Sequence, residues 1–125
     1  MSVLAILEQA GGQWHRMSWE TLAAAQQLAG GSMPIKVAVA GQNVAGVAAE
    51  LAKTAVAEVI AVDHAALASY TPDAFVQVLQ QVITAVNPSV VLLPHTYQTR
   101  DFSPTLATRL DRDRQSTRLN SSHGY

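Results

Sequence analysis

The sequence predicts an α/β domain of the doubly wound type: a mostly parallel sheet with helices on both faces, in three layers. Three observations lead there. Short apolar runs recur along residues 1–112, each followed by a segment of helical period. These runs are apolar at consecutive positions rather than alternating, as strands buried on both faces are. At 49% hydrophobic and 14% charged, a chain of 125 residues has enough apolar surface for one core, and it is too apolar for intrinsic disorder.

The elements follow in order. Val3-Leu4-Ala5-Ile6-Leu7 reads as a buried strand, and Gly11-Gly12-Gln13 as a turn. Ser18 is the expected N-cap of a helix in which Leu22, Ala25, Leu28 and Ala29 recur at helical spacing, with Gly30-Gly31 as its stop. Pro34 precedes a second strand, Ile35 to Ala40, ending at Gly41. Residues 43–54 form an alanine-rich helix with Val44, Val47, Ala48 and Leu51 on one stripe. A third strand, Glu58 to Val62, stops at Asp63-His64.

Thr71-Pro72-Asp73 is a strong helix start, with Thr71 as cap and Pro72 in the first turn. Phe75, Val78, Leu79, Val82, Ile83 and Val86 sustain the period up to Asn87-Pro88. The fourth strand is Val90 to Leu93, and Ser103-Pro104 is expected to open the last helix. Such βα units in series give a Rossmann-like, or nucleotide alpha hydrolase-like, three-layer domain with right-handed crossovers. Its ligand or partner surface is expected beyond the carboxyl ends of the strands: Glu8 to Gly11, Gly41 to Asn43, Asp63-His64 and Pro94 to Asp101.

Composition narrows the function classes. No apolar run approaches the roughly 20 residues a membrane-spanning helix needs. Met1-Ser2 leads directly into the first strand, without the basic n-region of a secretory signal or an Arg-rich presequence. A cytoplasmic location of bacterial type is expected. The absence of cysteine excludes disulfides, thiolate nucleophiles and Cys-based metal sites. A net charge of −1 with no basic stripe argues against nucleic acid as a partner.

After Asp111-Arg112 the character changes. Residues 113–125 have no apolar period and Leu119 as their only large aliphatic residue. From Asp113 to His123 the stretch resembles, at every position except Gln115, one reading frame of a widely used sequencing-library adapter. It is read as an artefactual, disordered tail, and residues 1–112 as a domain severed from a larger protein.

Chemistry-bearing constellations are sparse. Gly41-Gln-Asn-Val-Ala-Gly46 lacks both the Gly-x-Gly-x-x-Gly pattern and the Lys-Ser/Thr of a phosphate loop, so a plain strand-to-helix turn is favoured. Asp63-His64 could be an acid/base pair, but adjacent loop residues rarely face one substrate atom, and a solvated pair is the better reading. His15 and His95 are isolated from any ligand spacing. The richest stretch is Leu92 to Pro104, which gathers hydroxyls, a phenol, a guanidinium and a carboxylate just past a central strand. Thr96, Arg100 and Asp101 could hold a phosphate or a partner's carboxylate, or could simply anchor the loop and the helix that follows. No nucleophile with its base is present, which favours anchoring.

Here the sequence meets a family. Ser2 to Glu8, Leu22 to Gly30, Ala40-Gly41, Val59 to Asp63 and Leu67 to Tyr70 are similar to the N-terminal domain of the electron transfer flavoprotein alpha subunit. The most specific stretch is Leu93-Pro94-x-Thr96, then Arg100-Asp101, then Pro104-x-Leu106-Ala107-x-Arg109-Leu110-Asp111. Thr99 departs from the family's usual Gly, and Thr105 from its usual Arg. The resemblance implies a heterodimer with a beta subunit that carries FAD and passes electrons from acyl-CoA and related dehydrogenases to a quinone reductase or similar acceptor. It implies a carrier rather than a catalyst. It also implies that FAD lies chiefly on a C-terminal alpha domain, so that no cofactor-binding residue is expected in residues 1–112, which would supply scaffold and subunit interface. The alternative is a stand-alone nucleotide-binding α/β module.

Overall fold

The computed structural model describes residues 2–54, 56–113 and 118–121. The strands are β1 (Val3–Leu7), β2 (Gln9–Ala10), β3 (Gln13–Trp14), β4 (Ile35–Gly41), β5 (Glu58–Asp63), β6 (Val90–Leu93) and β7 (Arg118–Ser121). The helices are α1 (Arg16–Ala29), α2 (Ala45–Leu51), α3 (Pro72–Val86) and α4 (Tyr97–Asp113), with a short 3-10 turn at Ala65–Leu67. The main sheet has the order β5-β4-β1-β6-β7, and all of its strand pairs are parallel. The chain therefore builds outward from β1 to β5, returns across the sheet, and resumes on the other side of β1 at β6. This reversal is the doubly wound signature.

The side-chain alternation of the central strands divides the core in two. Val3, Ala5 and Leu7 of β1, with Ile35, Val37 and Val39 of β4, pack against Leu22 and Ala25 of α1 and Leu51 of α2. The intervening Leu4, Ile6 and Ala38 face the opposite way, onto Val76, Leu79 and Ile83 of α3 and Leu106 and Leu110 of α4. Every residue of β1 is buried because helices cover both faces, which explains the unbroken apolar run. β5, at the sheet's edge, is only half buried.

Local chemistry corrects several boundaries. His15, not Ser18, caps α1: its Nδ1 accepts from the Met17 N–H at 3.1 Å. Ser18 lies inside the helix, where its hydroxyl donates to the Glu8 carbonyl at 2.9 Å and accepts from the Glu8 N–H at 2.8 Å. That reciprocal pair pins α1 to the end of β1. Gly11 and Gly12, both at positive φ, form the tight turn of the small hairpin β2–β3, a geometry L side chains resist. Helix α2 is shorter than the sequence predicts, and α4 starts at Tyr97 rather than at Ser103-Pro104. Pro104 sits within α4, where its ring removes the N–H that would otherwise reach the Arg100 carbonyl.

Thr71 and Pro72 open α3 where expected, and Asn87 closes it in the left-handed conformation. The sequence predicts no element in residues 113–125, yet Arg118–Ser121 pair with β6 from Val90 to Leu93. Unpaired N–H and C=O groups on the flank of β6 offer a template to any nearby backbone. That pairing is blind to side-chain identity and does not bear on the origin of these residues. The other residues of the predicted tail beyond Asp113 lie outside the described residues.

Candidate functional site

In a doubly wound sheet the crevice for a ligand lies beyond the strand carboxyl ends, where the order reverses. Here that point lies between β1 and β6, and it is closed. Thr96, following β6, donates its hydroxyl hydrogen to Glu8 Oε1 of the β1 side at 2.6 Å. The Thr96 hydroxyl oxygen in turn accepts the Thr99 N–H at 3.2 Å, which makes Thr96 the N-cap of α4. The Thr99 hydroxyl lies 3.1 Å away, and both threonines are buried. Thr99 needs no left-handed backbone, so its departure from glycine is accommodated within the helix.

Asp101 is tied to the segment before α3. The Tyr70 hydroxyl donates to Asp101 Oδ2 at 2.7 Å and lies 3.3 Å from the Gln98 carbonyl. Partial burial, then the hydrogen bond to the Asp101 carboxylate, push the Tyr70 phenol well above its usual range. The Tyr70 ring packs edge-on against Phe75 with centroids 5.2 Å apart.

Arg100 points the other way, into solvent. Its Nη2 lies 2.6 Å from His95 Nε2, which must accept because a guanidinium only donates. The guanidinium also stands 5.8 Å from the centroid of the exposed Tyr97 ring, within cation–π range. Of the three candidate residues, Thr96 and Asp101 are therefore committed to internal bonds, and Arg100 faces outward with an aromatic neighbour.

Asp63 and His64 do not form an acid/base pair. Asp63 accepts from the Asn43 N–H at 3.0 Å through Oδ1 and from the Val44 N–H at 3.3 Å through Oδ2, pinning the turn that leads into α2. His64 Nδ1 accepts from the Ala66 N–H at 3.0 Å and caps the 3-10 turn. Sequence reasoning missed both of these bonding roles. It also missed the part played by Glu8, whose partner lies 88 positions away and leaves no local signal. Among the described residues no group of three or more His, Cys, Asp or Glu side chains could hold a metal ion. No helix among them is long and apolar enough to cross a membrane.

A water-sized pocket of about 20 Å³ is left at the switch point, and two larger concavities lie elsewhere among the described residues. One is a polar cleft of about 390 Å³ beside the closed switch point, between the β2–β3 hairpin and residues 67–70. The other is an open apolar groove of about 260 Å³ over β5 and α3, lined by Ile60, Val62, Val78, Val82, Ala85 and Val86.

Residues 3–114 match the family described as electron transfer flavoprotein domain. The electron transfer flavoprotein subunit alpha of Bacillus subtilis (strain 168) is 33% identical over 108 residues, which is 86% of this chain and 33% of that protein. The subunit of the same name from Pseudomonas aeruginosa is 36% identical over 117 residues, 93% of this chain and 36% of that protein. The acryloyl-CoA reductase electron transfer subunit beta of Anaerotignum propionicum is 33% identical over 105 residues, 82% of this chain and 28% of that protein. The chain thus spans about a third of the length of these relatives.

Proposed function

Because the chain belongs to the electron transfer flavoprotein domain family, we propose that it serves as the N-terminal part of an alpha subunit and supplies scaffold and subunit interface. In the whole protein, alpha pairs with a beta subunit in the cytoplasm. FAD held by that heterodimer then carries electrons from acyl-CoA and related dehydrogenases to a quinone reductase or similar acceptor. The part represented here conducts no chemistry of its own.

The observation that carries the scaffold role is the closed switch point. Where a nucleotide would enter a doubly wound sheet, Thr96 and Glu8 are bonded to each other. FAD does not fit the residues beside it. Its pyrophosphate needs cationic side chains or free helix N–H groups. The cleft lining has no Lys or Arg, and the Asp63 carboxylate stands at the turn that leads into α2, where it repels an anion. The same facts count against the nucleotide-binding alternative.

The interface role draws on the apolar groove over β5 and α3, a surface of the kind that a partner subunit covers. Arg100 beside Tyr97 adds an exposed cationic and aromatic pair suited to a partner's carboxylate. Thr96 and Asp101 act as anchors that hold this loop in place.

Purification of the chain with FAD supplied throughout tests the reading. A colourless protein is the expected outcome. Flavin retained at one equivalent per chain would overturn the scaffold assignment.

A further inference from the structure

The polar cleft adjoins the closed switch point, sharing Gln9, Phe75 and Gln98 with it, and its chemistry is specific enough to name a ligand class. Its wall is built by the hairpin turn Gly11-Gly12, by Gln42 and Asn43 after β4, and by Gln98 in the first turn of α4. Tyr70 and Phe75 supply aromatic surface. The side-chain amides of Gln42, Asn43 and Gln98 make no hydrogen bond to other described residues. Each therefore offers a donor and an acceptor to whatever enters. Gln9 is different: its amide is held by the Ala40 carbonyl at 3.4 Å and the Gly12 N–H at 3.0 Å, and so it fixes the shape of the floor.

Charge decides what can enter. The lining contains no Lys or Arg, whereas Asp63 and Asp101 are bonded directly to cleft residues. A phosphate would find no cation in the lining and would feel two carboxylates behind the wall. An uncharged ring with mixed donors and acceptors on its edge would find free amides and an aromatic wall. A volume of about 390 Å³ lies near the low end of ordinary ligand pockets, suited to one ring system with a small substituent rather than a dinucleotide.

We propose that this cleft binds an uncharged, planar, hydrogen-bonding heterocycle of purine-nucleoside size, in preference to its phosphorylated form. The preference follows from the carboxylates bonded to the walls, and it stands apart from the role proposed for the rest of the domain.

The test is a titration of the full chain with adenosine and, separately, with AMP, followed by calorimetry and by amide chemical shifts. Adenosine is expected to saturate, with shifts centred on Gly11, Gly12, Gln42, Asn43 and Gln98. AMP is expected to bind on the order of five-fold more weakly, from like-charge repulsion at this range. Ala68→Lys, which adds a cation to an exposed position of the lining, is expected to reverse that order while circular dichroism stays unchanged. No saturable adenosine binding, tighter binding of AMP to the unaltered chain, or shifts elsewhere on the domain would each overturn the proposal. None of these results involves flavin retention, so they are independent of the scaffold test.

Discussion

The Thr96 hydroxyl donates to Glu8 Oε1 at 2.6 Å, joining the ends of two adjacent parallel strands across 88 positions of sequence. The bond occupies the place where folds of this type usually keep a ligand. The oxygen that donates to Glu8 also caps α4, so one buried hydroxyl fixes a strand end, a helix start and the gap between them.

Thr96→Val is therefore expected to cost about 1–3 kcal/mol, since it strands the Thr99 N–H and one face of the Glu8 carboxylate. Thr96→Ser keeps the hydroxyl and is expected to cost less than about 1 kcal/mol, from the lost methyl contact. Urea denaturation of the two variants separates these outcomes.

Asp63→Ala is expected to destabilise the domain by about 0.5–2 kcal/mol, since it leaves the Asn43 and Val44 N–H groups without their acceptor. The change should be local. Hydrogen exchange at Asn43, Val44 and the amides of α2 is expected to quicken, while α3 keeps its protection.

The Tyr70 phenol titrates above its ordinary value in the folded chain, because of partial burial and its bond to Asp101. A group whose folded value is raised stabilises the fold fully below its unfolded value, here about 10. As pH rises past that point the unfolded chain releases the proton first, and stability falls. Tyr70→Phe is expected to remove this alkaline slope and to cost about 0.5–1.5 kcal/mol at neutral pH, the range for a hydrogen bond that solvent screens. Denaturation midpoints measured from neutral to alkaline pH check both parts.

At Gly41 an added Cβ would run into the Gln9 side chain and stand 3.0 Å from Val44 Cγ1. Gly41→Ala is expected to cost about 1–3 kcal/mol by overpacking. Gln9→Ala in the same chain removes the nearer obstacle, so the two substitutions together are expected to cost less than the sum of each alone. Thermal melts of the singles and the double complete that cycle.

The main strands β1, β4, β5 and β6 were legible in the sequence because a parallel strand covered on both faces must be apolar at nearly every position. Asn87 and Gly30 marked helix ends by the same local logic. What escaped notice had no local signature. His15 lies outside the usual capping set, and its capping atom is an imidazole nitrogen. Pro104 looked like a helix start because proline favours that position, yet α4 had begun upstream, capped by a threonine whose second bond is long-range. Arg100, Asp101 and Thr96 were recognisable as one chemical stretch. Their division into two anchors bonded within the chain and one outward cation depended on Glu8 and Tyr70, which only the folded chain brings near.

β1 is made before both of its neighbours and is the central strand, flanked by β4 on one side and β6 on the other. Its pairing with β6 joins Val3 to Val90, so a nascent chain emerges with its most apolar strand open along one edge. At typical rates of synthesis, that edge waits on the order of ten seconds for its neighbour. Throughout that interval β1 has the makings of an aggregation seed, and the vulnerable period in the life of this domain is its own birth.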